Sequence, residues 1–119
     1  MVKDYLHMAE EVNASSAALS LGLPEAMRGF KLLGRGAYAD AALSRKTKEL
    51  MALALSVASR CDGCVAYHAR RLFELDASRE EVFETIGVAV QMGGGPSMVY
   101  GGEAVRAFDA FQIQAIAAE

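Results

Sequence analysis

"RKTKELMALALSVASRCDGCVAYHARRLFEL", residues 45–75, carries no proline and no strand-like alternation, so its composition favours helix throughout. Whether it forms one helix or two decides the fold. Ser44 stands where an N-cap would open a helix over Arg45–Ser59. Leu50, Leu53, Ala54, Val57 and Ala58 fall at i, i+3, i+4, i+7 and i+8 and make an apolar stripe. Met51 and Leu55 extend it to a second side, and a helix apolar nearly all round is usually buried. In so short a chain, a subunit interface is expected to help bury it. Asp62-Gly63 is a turn signal, expected to reverse the chain before a second helix over Cys61–Leu75.

The flanking sequence fits the same helical class. A first helix is predicted from Lys3 to about Leu19, ending before Gly22, and Pro24 suits the first turn of a second, through about Gly34. "GRGAYADAA", 34–42, reads as a connector. Ser78 followed by Glu81 is a capping box for a helix through about Gln91. "GGGPS", 93–97, breaks that helix and starts the last one, which runs to about Ala117. These glycines follow no strand and lack GxGxxG or GKS, so they do not read as a phosphate cradle. The expectation is an all-α single domain over 1–119 with a helical hairpin at its centre.

Composition narrows the function classes. The chain has 119 residues, 53% of them hydrophobic, enough for a core without staples. Its net charge of −3 and the lack of any Lys/Arg block argue against nucleic acid as a partner. No segment approaches the roughly 20 apolar residues of a membrane helix. "MVKDYLHMAEEV" has acidic residues where a signal peptide needs an apolar run, so a cytoplasmic location is expected. There, structural disulfides rarely persist, and two cysteines point to catalysis or metal binding.

Cys61, Cys64 and His68 stand at i, i+3 and i+7, on one face of a helix. A CxxC at a helix N-terminus has unpaired N–H groups and the positive dipole end to stabilise a thiolate. The thiolate is the nucleophile, and the second sulfur can close a disulfide behind it. His68, four residues after Cys64, is placed to move its proton. Glu49 is a candidate fourth member. In one straight helix it would lie roughly 28 Å from His68, so the two cooperate only if the chain reverses near Arg60–Gly63, with a water bridging the remaining offset. Each residue also has an ordinary explanation: Glu49 solvated and paired with Arg45 or Lys46, His68 structural, the cysteines small hydrophobes. Zn²⁺ bound by Cys61, Cys64, His68 and Glu49 is the rival reading. Tyr67 could line the site, though packing would explain it too. Arg60, Arg70 and Arg71 read as solvated, Met51, Met92 and Met98 as core or interface filler, and His7 as isolated.

The run Glu49–His68, "ELMALALSVASRCDGCVAYH", resembles the core of the AhpD alkylhydroperoxidases, in the carboxymuconolactone decarboxylase-like superfamily. The pattern is Glu, eleven residues, Cys, two, Cys, three, His, and a looser likeness covers about 44–110. The resemblance implies an all-α fold and homo-oligomers, trimers or hexamers. It implies hydroperoxide or disulfide reduction through a reversible Cys61–Cys64 bond, with Cys64 nearest a Glu49–water–His68 relay. It implies no bound cofactor but an external dithiol reductant, a lipoyl-bearing or thioredoxin-type protein partner. In one respect the chain departs from the pattern: Gly63 stands where the best-known hydroperoxidases keep an additional histidine.

Overall fold

Proline, glycine and polar caps cut the chain into six helices over residues 3–119, the part that the computed structural model describes. They are α1 (Tyr5–Gly22), α2 (Pro24–Tyr38), α3 (Arg45–Ala58), α4 (Asp62–Glu74), α5 (Arg79–Gly93) and α6 (Gly95–Ala117), with no strand among the described residues. The all-α expectation holds. Several starts are those the polar residues announced. Ser44 caps α3 by accepting from the Thr47 N–H, and Ser78 and Glu81 form a reciprocal capping box on α5. Gly94, at φ 71°, separates α5 from α6 in a conformation that favours glycine.

Three boundaries differ from the sequence reading, the first being that α1 runs through Gly22 rather than ending before it. The second helix does not stop near Gly34 but runs on to Tyr38, because Gly34 and Gly36 both keep helical backbone. The reversal between α3 and α4 is not made by Asp62-Gly63, which are already the first residues of α4. It falls on Ser59–Cys61, with Arg60 at φ 53° in the left-handed region. The Cys61 N–H donates to the Ser56 carbonyl at 3.2 Å across this turn. The chain therefore leaves α3 through a left-handed residue at its C-terminus, a common way to end a helix, here without glycine.

α3 and α6 pack on each other and each on both α4 and α5; α1 lies on α4 and α6, and α2 lies outside α1 and touches α3. The shared core holds Leu53, Val57, Val65, Leu72, Val82, Ile86 and Phe108. Burial of each such side chain contributes about 1.5–3 kcal/mol before entropy is counted. α5 and α6 approach closely at Gly101, where an added Cβ would sit 2.6 Å from Ile86 Cγ2. Ion pairs tie the periphery: Lys46 to Glu81 at 2.9 Å, and Arg79 to Asp109 at 3.0 Å.

The outer surface carries many apolar side chains. Met51 and Leu55 on α3, Phe30, Leu32 and Leu33 on α2, Met92 on α5 and Met98 on α6 are exposed. The three methionines thus lie outside the core of the chain. No helix among the described residues is long and apolar enough to cross a membrane.

Candidate active site

α3 buries Glu49, Ala52, Leu53, Ser56 and Val57, a stripe one position off the apolar one expected from the sequence. Leu50 and Ala54 form its half-buried shoulder, and Ala58 is exposed. The shift turns Glu49 inward, leaving it only 2% exposed. A carboxylate so placed is costly unless it is paired and hydrogen-bonded. Its partner is not Arg45 or Lys46. The hairpin brings α4 alongside, and His68 Nδ1 lies 2.6 Å from Glu49 Oε2. No intervening water is needed: the helices pack closely enough for the two side chains to span the gap. With Nδ1 committed to Glu49, Nε2 is the ring nitrogen left to exchange a proton.

The same hairpin sets the cysteines. Cys61 is the N-cap of α4, its Sγ accepting from the Cys64 N–H at 3.2 Å. Cys61 and Cys64 are joined as a disulfide, both half-buried, at the helix end where backbone N–H groups are unpaired. Cys64 stands one helical turn before His68, on the same face. Glu49 and His68 are thereby paired across the α3–α4 hairpin, with Cys64 one turn before His68 and Cys61 at the start of the same helix. Asp62, between the cysteines, is bridged by the Lys3 ammonium at 3.1 Å.

Aromatic side chains enclose the imidazole. The Tyr67 ring meets His68 edge-on at 5.1 Å, and its hydroxyl accepts from Arg71 Nη2 at 3.1 Å. The sequence had offered Tyr67 as a lining residue, and it does flank the histidine. Tyr38, unforeseen because its stretch read as connector, places its ring 6.0 Å from that of His68. Burial, with the Glu49 carboxylate and then Tyr67 adding to it, pushes the Tyr38 hydroxyl above the ordinary phenol range. Its one sequence signal is being an aromatic among small residues in "GRGAYADAA".

Of the remaining candidates, Arg71 backs Tyr67 rather than standing free in solvent. Arg70 and Arg71 pair with Glu74, and His7 pairs with Glu11 one turn on, at 3.0 Å. Among the described residues, no group of three or more His, Cys, Asp or Glu side chains is arranged to hold a metal ion. In this oxidised form Cys61 and Cys64 are joined to each other and His68 is hydrogen-bonded to Glu49.

Comparison with known proteins agrees with this architecture. Residues 24–110 match the model of the carboxymuconolactone decarboxylase family. An uncharacterized protein of Cupriavidus necator is 36% identical over 110 residues, covering 92% of this chain and 97% of its own. Among solved structures, a member of that family from Legionella pneumophila, in its apo form, is 46% identical with a TM-score of 0.88, over 90% of this chain and 96% of that one. A Thermotoga maritima member, proposed to take part in an antioxidative response, is 31% identical with a TM-score of 0.78, over 98% and 97% of the two chains.

Proposed function

Because the chain belongs to the carboxymuconolactone decarboxylase family, within its AhpD-like superfamily, we propose that it is a thiol-dependent oxidoreductase that reduces hydroperoxides. The observation that carries this reading is the buried Glu49–His68 pair one turn behind a disulfide-forming CxxC at a helix N-terminus. A redox pair of cysteines alone would serve many roles. A histidine oriented by a buried carboxylate supplies the proton transfer that peroxide chemistry needs.

In the reduced protein, His68 takes the proton of Cys64, and Glu49 stabilises the imidazolium through Nδ1. The thiolate attacks the terminal oxygen of a hydroperoxide, the O–O bond breaks, and Cys64 becomes a sulfenic acid. The departing alkoxide takes the proton from His68 and leaves as an alcohol. Cys61 then attacks the Cys64 sulfur, water departs, and the 61–64 disulfide forms. An external dithiol, lipoyl-bearing or thioredoxin-type, restores both thiols and is itself oxidised to a disulfide. Peroxide and dithiol together become alcohol, water and disulfide, so the electrons balance. Gly63 offers no side chain for a longer relay, and the proton path therefore ends at His68.

The apolar surface of α2 and α3 supports assembly as a homo-oligomer; a trimer or hexamer in the cytoplasm is the form proposed. The functional test is anaerobic titration of the reduced chain with an organic hydroperoxide while thiols are counted. Loss of both thiols, with a 61–64 disulfide found by mass spectrometry, is expected. Survival of both thiols in excess peroxide would overturn the reading. Cys64→Ser and Cys61→Ser should each abolish dithiol-dependent turnover.

A further inference from the structure

α2 buries none of its residues, yet its last residue, Tyr38, is half-buried and reaches the site. Packing of α2 on α1 does not require this, since Tyr38 lies at the far end of the helix. The residues that follow are tied down instead. Lys48 Nζ donates to the Ala39 carbonyl, and the Arg45 N–H donates to Asp40 Oδ1 at 2.6 Å. Both ties come from the first turns of α3, the helix that supplies Glu49. The chain thus fixes Tyr38 relative to the carboxylate that holds His68.

From this placement we infer that Tyr38 is a positioning residue for His68: its ring holds the imidazole on Glu49 and screens the pair from water. The inference rests on the reading that His68 moves the Cys64 proton. His68 meets Tyr38 at a 36° tilt and Tyr67 edge-on, and its side chain keeps only 16% of its surface exposed. The titratable and charged groups around the imidazole are Glu49 on α3, Tyr38 on α2 and Tyr67 on its own helix, with Arg71 behind Tyr67. Of these, Tyr38 alone comes from a helix with no buried residue, so it can be altered with little effect on the core. Its ring acts as a wall, because burial and the Glu49 carboxylate hold the hydroxyl of this half-buried phenol above the ordinary range and keep it neutral.

The test avoids peroxide altogether. In a Cys61→Ser background, the full chain is treated with iodoacetamide over a range of pH, and Cys64 alkylation is followed by mass spectrometry. Tyr38→Ala should slow alkylation near neutral pH by about tenfold, a fraction of the roughly 10²–10⁴-fold that a positioned base contributes, and displace the pH–rate profile. Tyr38→Phe, which keeps the ring, should retain the parent profile. Tyr38→Leu is read in place of Tyr38→Ala if the latter fails to give the parent's circular dichroism.

A folded Tyr38→Ala or Tyr38→Leu chain with the parent profile would overturn the inference, and so would Tyr38→Phe behaving like Tyr38→Ala. His68→Gln in the same background separates the two levels. If it leaves the profile unchanged, the His68–Cys64 relay fails and Tyr38's role falls with it. If His68→Gln moves the profile and Tyr38→Ala does not, only the inference about Tyr38 is lost.

Discussion

α3 and α2 are nearly equal in length, 14 and 15 residues, and each presents an apolar face. α3 buries five residues of its face, a carboxylate among them, while α2 buries none and leaves Phe30, Leu32 and Leu33 in the open. The contrast separates two uses of amphipathicity. In α3 the pattern is resolved inside the chain, and of its two buried polar residues Ser56 is satisfied by its own helix while Glu49 is paired with His68 across the hairpin. In α2 the pattern is unresolved within the chain, and under the proposed assembly a second copy would cover it.

The largest effect should come from breaking the buried pair. His68→Leu strands the Glu49 carboxylate in the core, and the loss of one partner of such a pair costs about 3–5 kcal/mol. Urea denaturation followed by circular dichroism reads this directly. Glu49→Leu combined with His68→Leu should recover most of the loss, because two apolar groups replace two that had to be paired. If His68→Leu alone is nearly neutral, α3 is less different from α2 than its burial indicates.

Next in size is Gly101→Ala at the α5–α6 contact, where the new methyl would meet Ile86 Cγ2 at 2.6 Å. The neighbour is a β-branched side chain in the core, stiff at χ1, so relief requires helix displacement. A loss of about 1–3 kcal/mol is expected by the same denaturation assay. Polar substitution on α2 sharpens the other side of the comparison. Phe30→Glu with Leu33→Glu should leave the helical spectrum intact while lowering the mass seen by light scattering toward that of one chain. An unchanged mass would place the assembly surface elsewhere, with Met51, Leu55 and Met92 the next face to alter.

Legibility divides along the same line. Ser44, Ser78 and Glu81 announce helix starts because a cap is made within four residues, and the structure keeps each of them. The Cys61–Cys64–His68 face follows from helical spacing alone. The reversal near Arg60–Gly63 was legible but the residue that makes it was not, since a left-handed arginine has no local signature and the nearby Asp-Gly pair drew the hinge toward itself. Glu49's inward rotation depends on where α4 packs, and its 19-residue separation from His68 hides their direct contact from any local pattern. Tyr38 is harder still. It joins the site through the tether of Ala39 and Asp40 to α3, which no periodicity records.

The smallest effect concerns the glycines of α2. Gly34 and Gly36 have helical backbone, and a Cβ at either would meet nothing within 4 Å. They differ from Gly101 in one respect, that no close approach demands them, and like it they have no positive φ. Glycine in a helix interior costs about 0.5–1 kcal/mol relative to alanine, chiefly through the freedom of the unfolded chain. Gly34→Ala with Gly36→Ala should therefore stabilise the chain by about 1 kcal/mol or slightly more, read as a higher urea midpoint at unchanged slope. The pair lies just before Tyr38, so the same variant bears on the site. If the last turn of α2 must loosen to admit a substrate past the Tyr38 ring, the stiffened chain will gain stability and lose turnover. If turnover is unchanged, Tyr38 serves as a fixed wall, as its tethering to α3 implies.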